Sequence, residues 1–223
     1  MDSHMKSKPI LFSSSMVRAL LTGHKTQTRR AVKPQPPEGT YQVSTWHHPD
    51  PRPHFFAWQD LPHGTAMTAD GWVQPCPYGQ PGERLWVRET HYLTDDGHSE
   101  FAVYAADDDA AHEHLQRLEE LNADFPADVK AAHKRLRPSI HMPRWASRIL
   151  LEIVSVRVER LQDISEDDAM AEGIDRERVA MYAKGSTKPA MRAYADLWNS
   201  INGDGSWDVN PWVFVIEFKR ISP

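Results

Sequence analysis

The chain contains only one cysteine, Cys76, in 223 residues. A single cysteine cannot form an intramolecular disulfide, so the fold must be stabilised by its packed core, and a reducing cytoplasm is the expected location. The sequence also lacks an apolar run of the roughly 20 residues that a membrane-spanning helix needs, and it lacks a recognisable signal peptide. These absences predict a cytoplasmic protein with no membrane partner.

Several catalytic and ligand-binding signatures are missing as well. There is no glycine-rich nucleotide loop, no Ser-His-Asp set and no Cys-His pair with a recognisable spacing. The histidines cluster only loosely, as His47, His48 and His54 in one proline-rich stretch and as His112 and His114 in a helical one. Neither group completes a tetrahedral zinc site with the single cysteine. The sequence therefore predicts no metal and no other cofactor.

Basic residues are not in excess overall, because the formal net charge is −5. They are unevenly distributed, since residues 134–160 contain seven lysines and arginines against two glutamates, and residues 92–128 contain eleven acidic residues against one arginine. A basic side and an acidic side are therefore expected. On the basic side, phosphate contacts and base stacking are one interpretation, and a solvated face is the other. The candidate residues for such contacts are Arg135, Arg137, Arg144, Arg148 and Trp145.

The hydrophobic periodicity predicts one α+β domain over residues 6–223, preceded by five residues that look like an expression-tag remnant. Strands are predicted at 84–88, 101–105, 148–161 and 212–218, with weaker signals at 41–45 and 55–58. Helices are predicted at 15–22, 110–122, 127–136, 166–173 and 189–201. Alternation changes phase at Val154, which predicts a β-bulge in a strongly curved strand and hence a small β-barrel. Residues 33–80 and 106–137 are interpreted as insertions.

The stretch from Gly23 to Arg30 carries the densest set of cationic and hydroxyl side chains. Gly23 stands where a left-handed residue commonly ends a helix. If the chain makes one more turn there, Lys25 and Thr28 lie on the same side, and a buried lysine can activate a neighbouring hydroxyl. The alternative is a helix C-terminus whose cations complement the helix dipole.

Four separated motifs together resemble the ASCH family of PUA-like proteins. They are Gly23-x-Lys25-Thr26-x-Thr28-x-Arg30, Gly82-x-x-Leu85-x-Val87, the segment Ile164-Ser-Glu-Asp-Asp-Ala-Met-Ala-Glu-Gly173, and the closing Val213-Phe-Val-Ile-Glu-Phe-Lys219. The resemblance implies a small PUA-like β-barrel with flanking short helices. The two insertions, and two tryptophan-containing segments at 143–147 and 205–208, are similar to those of larger phage and prophage members of this family.

The resemblance also implies a chemistry, because small bacterial members with this loop are amidohydrolases acting on N4-acetylcytidine. Their working lysine, threonine and glutamate fall on Lys25, Thr28 and Glu172. Arg30 matches a family arginine that could steady a phosphate or an oxyanion, and Arg29 is a second candidate binding residue beside it. This chain is considerably longer than those enzymes, so its insertions could narrow, widen or replace the substrate site.

Other interpretations stay open at this point. Glu89 follows a predicted strand and could be the acidic partner in place of Glu172, or it could be an exposed carboxylate paired with Arg88 or Lys25. The whole protein could instead be a non-catalytic RNA-binding module or a metal-independent ribonuclease. The expected ligand is accordingly a modified nucleoside or RNA, and the sequence makes no prediction of the oligomeric state.

Overall fold

The structure is a computed structural model, and it describes residues 7–36, 38, 40–46, 55–60, 73–95, 99–120 and 135–221. Its strands are β1 (Ser7–Leu11), β2 (Gln27–Ala31), β3 (Thr40–Trp46), β4 (Phe55–Asp60), β5 (Val73–Pro75), β6 (Arg84–Arg88), β7 (His91–Asp95), β8 (Glu100–Tyr104), β9 (Leu150–Arg160) and β10 (Trp212–Ile221). Its helices are α1 (Ser14–Leu21), α2 (Asp108–Glu120), α3 (Glu166–Ala171), α4 (Arg176–Ala183) and α5 (Pro189–Asn202). Short 3₁₀ turns cover Ser139–His141, Arg144–Ala146 and Leu161–Asp163.

The central element is a five-stranded sheet in the order β1-β6-β9-β10-β2. Only the β1–β6 pair is parallel, and the other three pairs are antiparallel. The strands β3-β4-β5 form a second sheet, and β7 and β8 form a two-stranded one. The mixed α+β class is as predicted, whereas no ladder among the described strands joins β1 to β2 into a closed barrel.

Apolar side chains cover both faces of the main sheet, because β10 contributes to two separate cores. Phe214 and Ile216 belong to a cluster that includes residues of α1, while Val213 and Val215 pack with residues of α3 and α5. This two-sided burial is typical of an interior strand, and β10 lies between β9 and β2. Ile201, the last residue of the helix predicted at 189–201, is exposed, because the buried positions of α5 end at Trp198.

The bulge predicted in the long strand is confirmed at Val154. In the register of β9 with β10, Ser155 pairs with Glu217 and Ile153 with Phe218, so Val154 is the surplus residue, and it is 51% exposed. Such an extra residue changes which side chains face each side of the strand. Ile153 therefore packs in the same core as Val156, which frees the odd-numbered residues after the bulge for the opposite face.

The predictions on the two insertions have mixed outcomes. The weak strand signals correspond to β3 and β4, while β5 was not predicted. The helix predicted at 110–122 is α2, and the one predicted at 127–136 falls mainly outside the described residues, with residues 135 and 136 not helical. Among the described residues, no helix is long and apolar enough to cross a membrane.

Candidate active site

The loop after α1 does not continue as a helix. Gly23 ends the helix in a left-handed conformation, with φ of 77°, as predicted. The chain then becomes extended: Lys25 forms an isolated antiparallel bridge with Glu172, and Thr28 lies in β2 opposite Ile216 of β10. The helical spacing argument for Lys25 and Thr28 is therefore wrong, because pairing with two other chain segments holds the loop extended.

Lys25 and Glu172, which are 147 positions apart, are in direct contact. The Lys25 ammonium nitrogen Nζ donates to the main-chain oxygen of Glu172 at 2.6 Å and to its carboxylate oxygen Oε2 at 3.0 Å. Both side chains are almost completely buried. Gly173 allows this approach, because its φ is 89° and an added Cβ would stand 2.9 Å from Ala19 Cβ and 3.0 Å from Lys25 Cβ.

Arg29 holds the other oxygen of the same carboxylate. Its guanidinium donates to Glu172 Oε1 at 3.2 Å, to Asp168 Oδ2 at 3.0 Å and to Glu159 Oε1 at 2.5 Å. No part of the Arg29 side chain is exposed. Arg157 completes this group by donating to Glu159, Asp168 and Glu217. Arg29, a sequence candidate for ligand binding, is thus engaged by three carboxylates inside the protein.

We call Lys25, Arg29, Glu159, Asp168 and Glu172 the lysine cluster. Sequence reasoning identified only part of it. Strand alternation places Gln27 and Arg29 on one face of β2, and the bulge in β9 turns Glu159 to the matching face. Those signals were present in the sequence, but the partners become visible only once β2 and β9 are known to flank β10.

Burial lowers the pKa of Lys25 below its ordinary value, although the charge and hydrogen bond of Glu172 raise it, and Arg30 and Arg29 lower it further. The neutral amine has two hydrogens and one lone pair. Glu172 offers two acceptors to this nitrogen, so both hydrogens can be donated while the lone pair is left for an incoming proton. This arrangement is what a general base requires.

Phe12 connects Lys25 to Arg30. Lys25 Nζ and the Arg30 guanidinium carbon each lie 5.4 Å from the centre of the Phe12 ring, and Arg30 donates to the Leu11 carbonyl at 2.6 Å. Strand alternation puts Thr28 on the same face of β2 as Arg30. The structure thus brings Lys25 and Glu172 into contact and places Lys25 and Arg30 at the same Phe12 ring. Thr28 is buried on the Arg30 face of β2, and no hydrogen bond joins it to Lys25 among the described residues.

The buried Glu89 belongs to a different cluster, which also contains the half-buried Arg148 and Asp107 and which we call the arginine cluster. Arg148 donates to both carboxylate oxygens of Glu89 at 3.0 Å and to Asp107 Oδ1 at 3.0 Å. The expectation of an exposed Glu89 paired with Arg88 or Lys25 is wrong, because Glu89 is 1% exposed and its amide contacts the Met142 sulfur at 3.3 Å. Burial raises the pKa of Glu89 despite Arg148. The guanidinium of Arg148, a sequence candidate for ligand binding, is thus paired with Glu89 and Asp107 of the same chain.

The other candidates of the basic region lie on the surface beside β6 and β7. Arg144 is exposed and its guanidinium carbon lies 5.6 Å from the centre of the Trp86 ring, which also carries Arg88 at 4.7 Å. Trp145 is 53% exposed. Arg137 lines an open pocket of about 380 Å³, and the other described residues that line it are Arg135, Pro138 and His141.

Among the residues that the structure describes, no three histidine, cysteine, aspartate or glutamate side chains are grouped to hold a metal ion. Comparison of the chain with family models, with curated proteins and with solved structures yields no match. The likeness to the ASCH family accordingly depends on the four sequence motifs, and the geometry of the lysine cluster has to be interpreted by its own chemistry.

Proposed function

We propose that this protein is an ASCH-type hydrolase with a PUA-like fold that cleaves an acyl-amide on a modified cytidine nucleoside or a related base, as an N4-acetylcytidine amidohydrolase does. The observation that supports this most is the buried contact of Lys25 with Glu172. A motif resemblance selected these two residues, and they meet across 147 positions with a lysine whose pKa is lowered by burial.

The first step would be attack of the Thr28 hydroxyl oxygen on the acetyl carbonyl carbon. Lys25, as the neutral amine, takes the hydroxyl proton as the new C–O bond forms. A free lysine titrates near ~10.4, so at neutral pH only about one in a few thousand is neutral, and a lowered pKa raises that fraction. Arg30 is suited to stabilise the negative charge that develops on the carbonyl oxygen.

The second step would break the C–N bond. The Lys25 ammonium returns its proton to the leaving exocyclic nitrogen, which releases cytidine and leaves an acetyl ester on Thr28. Water then attacks the ester carbonyl while Lys25 takes one of its protons, and Lys25 passes that proton to the Thr28 oxygen as the C–O bond to Thr28 breaks and acetate leaves. Glu172 keeps the lysine nitrogen in place throughout, and Arg29 keeps the carboxylate of Glu172 in place.

The proposal is tested by incubating the protein with N4-acetylcytidine and measuring released cytidine and acetate by chromatography. Thr28→Ala is expected to remove turnover and Thr28→Ser to keep part of it. Thr26→Ala is the matched control, because Thr26 is exposed in the same loop and takes part through its main chain, with its nitrogen bonded to Ala171 and its oxygen to Phe218. Equal turnover in Thr28→Ala and wild type would reject Thr28 as the nucleophile.

The second candidate is a non-catalytic RNA-binding module, and one observation favours it. Residues 135–148 contain four arginines and no acidic residue, and Arg144 and Trp145 are exposed there. Plain RNA in the same incubation separates the possibilities. Retained RNA without any product would favour the binding module, and shortened RNA would favour a ribonuclease.

A further inference from the structure

The arginines of the acid-free segment 135–148 differ in what neutralises them. Arg148 is paired with Glu89 and Asp107, and Arg144 lies against the Trp86 ring. Arg135 and Arg137, in contrast, have no ion-pair partner among the described residues. These two side chains, with His141 and Pro138, line the pocket of about 380 Å³. Within the described part of the chain, the positive charge of the segment is therefore uncompensated at this pocket.

The pocket is built on fixed backbone. The main-chain nitrogen and oxygen of Arg137 both bond to His91, the first residue of β7, at 2.8 and 3.1 Å. His91 is itself fully buried, and its ring nitrogen Nδ1 donates to the Glu89 carbonyl at 3.0 Å. On the other side, the amide of His141 bonds to the Pro138 carbonyl at 3.0 Å and closes a 3₁₀ turn. The Cα positions of Arg137 and His141 are thus set before any ligand arrives.

Arg137 carries an unsatisfied donor at this place. Its Nε is buried and has no hydrogen-bond partner in the described part of the protein. A buried donor without an acceptor is destabilising, and native proteins rarely leave one unpaired without a reason. An anionic ligand with several oxygens would supply the missing acceptor and would match the planar guanidinium with two parallel hydrogen bonds.

From these observations we propose that Arg135, Arg137 and His141 form a binding site for the phosphate group of a small phosphate-bearing molecule. The volume is at the low end of the range typical of small-molecule pockets, which favours a compact phosphate or diphosphate over a polymer. Two arginines that have no carboxylate partner among the described residues favour an anion, and their fork geometry favours phosphate oxygens. The site is independent of the lysine cluster, so it does not depend on the proposed hydrolysis.

Calorimetric titration with inorganic phosphate and with pyrophosphate, at constant ionic strength, tests the proposal. We expect saturable binding of one pyrophosphate per chain and at least about tenfold weaker binding in Arg137→Gln, because a lost charge-assisted hydrogen bond is of that size. His141→Ala and Arg135→Gln, both at exposed positions, should also weaken binding. Arg192→Gln is the control, since it removes an equal charge from an exposed position of α5 and should bind as wild type.

Three results would overturn the proposal. The first is no saturable binding of either probe, and the second is equal weakening in Arg137→Gln and Arg192→Gln, which would show only diffuse attraction. The third is binding of an oligouridylate with none of pyrophosphate, which would assign the surface to a polymer. Thermal unfolding of each variant is compared with wild type, and if Arg137→Gln does not fold, His141→Ala and Arg135→Gln decide the outcome. The titration does not measure hydrolysis of N4-acetylcytidine, so the phosphate site and the proposed hydrolase function can each be rejected without the other.

Discussion

Among the residues that the structure describes, two glutamates are almost fully buried, Glu172 and Glu89, and each is held by cations from elsewhere in the chain. Glu172 divides its oxygens between Lys25 and Arg29, whereas Glu89 gives both oxygens to Arg148 alone. The lysine cluster therefore contains a cation that can lose its proton, while the arginine cluster contains only one that cannot.

This difference separates a group that can perform chemistry from one that can only hold structure. An arginine paired bidentately with a carboxylate keeps its own charge at any accessible pH, so it cannot exchange a proton with a substrate. Lys25 is different, because burial lowers its pKa and Glu172 and the two neighbouring arginines act in opposite directions. The lysine cluster is thus the place where a change of protonation is within reach, and the predictions below test that contrast.

Lys25→Arg should produce the largest effect, because it makes the lysine cluster resemble the arginine cluster. Turnover of N4-acetylcytidine should fall by about a thousandfold, which is within the range that a general base contributes. Nucleoside binding should survive, since the positive charge remains. The matching change Arg148→Lys should leave kcat near the wild-type value. Wild-type turnover in Lys25→Arg would exclude the base role and recast Lys25 as an electrostatic clamp, with a water held by Glu172 as the nucleophile.

Glu89→Ala should mainly affect stability. It leaves the half-buried Arg148 with Asp107 as its remaining carboxylate, and removing one partner of a buried ion pair costs about 3 kcal/mol. Glu152→Ala is the control, because Glu152 is paired with the exposed Lys219, and a surface pair contributes about 1 kcal/mol or less. Urea unfolding measures both. Equal losses of unfolding free energy in the two variants would show that the Glu89–Arg148 pair contributes no more to stability than a surface pair does.

Gly173→Ala should perturb the lysine cluster through the backbone. A residue with a side chain at positive φ costs roughly 1–2 kcal/mol, and here the new Cβ would also meet Ala19 and Lys25. Gly185→Ala is a close control, because Gly185 also has positive φ, 104°, but nothing lies within 4 Å of its added Cβ. We expect both variants to lose stability and only Gly173→Ala to lose turnover. Unchanged kcat in Gly173→Ala would mean that Lys25 tolerates displacement.

The pH dependence should be the most gradual effect. Turnover should rise with pH, about tenfold per unit, up to the lowered pKa of Lys25, because only the neutral amine accepts a proton. Stability should also rise with pH. A lysine whose pKa in the folded protein lies below the ordinary 10.5 binds its proton more weakly there than in the unfolded chain. The free energy of unfolding therefore rises with pH between the folded pKa and 10.5. Lys25→Met should remove that rise, and a rise that persists would place its origin elsewhere.

The sequence predicted the strands and helices well where a periodic pattern was long. The strand from Leu150 to Arg160, its bulge and the Pro189 helix start all follow from spacing and local residue preferences. The meeting of Lys25 and Glu172 was expected only from motif resemblance, since nothing local links positions so far apart. The environment of Glu89 was predicted wrongly, because its burial depends on residues 142–148, which pack over it only in the folded chain.

Val154 is a residue that β9 contains in excess of its partner strand β10. Its side chain is half exposed, so most substitutions there should be tolerated. Deleting it should be tolerated as well, because Ile153 already pairs with Phe218 and Ser155 with Glu217, so the shortened strand would alternate regularly and Val156 and Val158 would keep their side of the sheet. Deleting Arg157 would have a different result, because Val158 would then face Arg29 and Glu159 would be directed into the apolar core beside Phe214. The effect of losing one codon in this strand therefore depends on whether the lost residue is the surplus one.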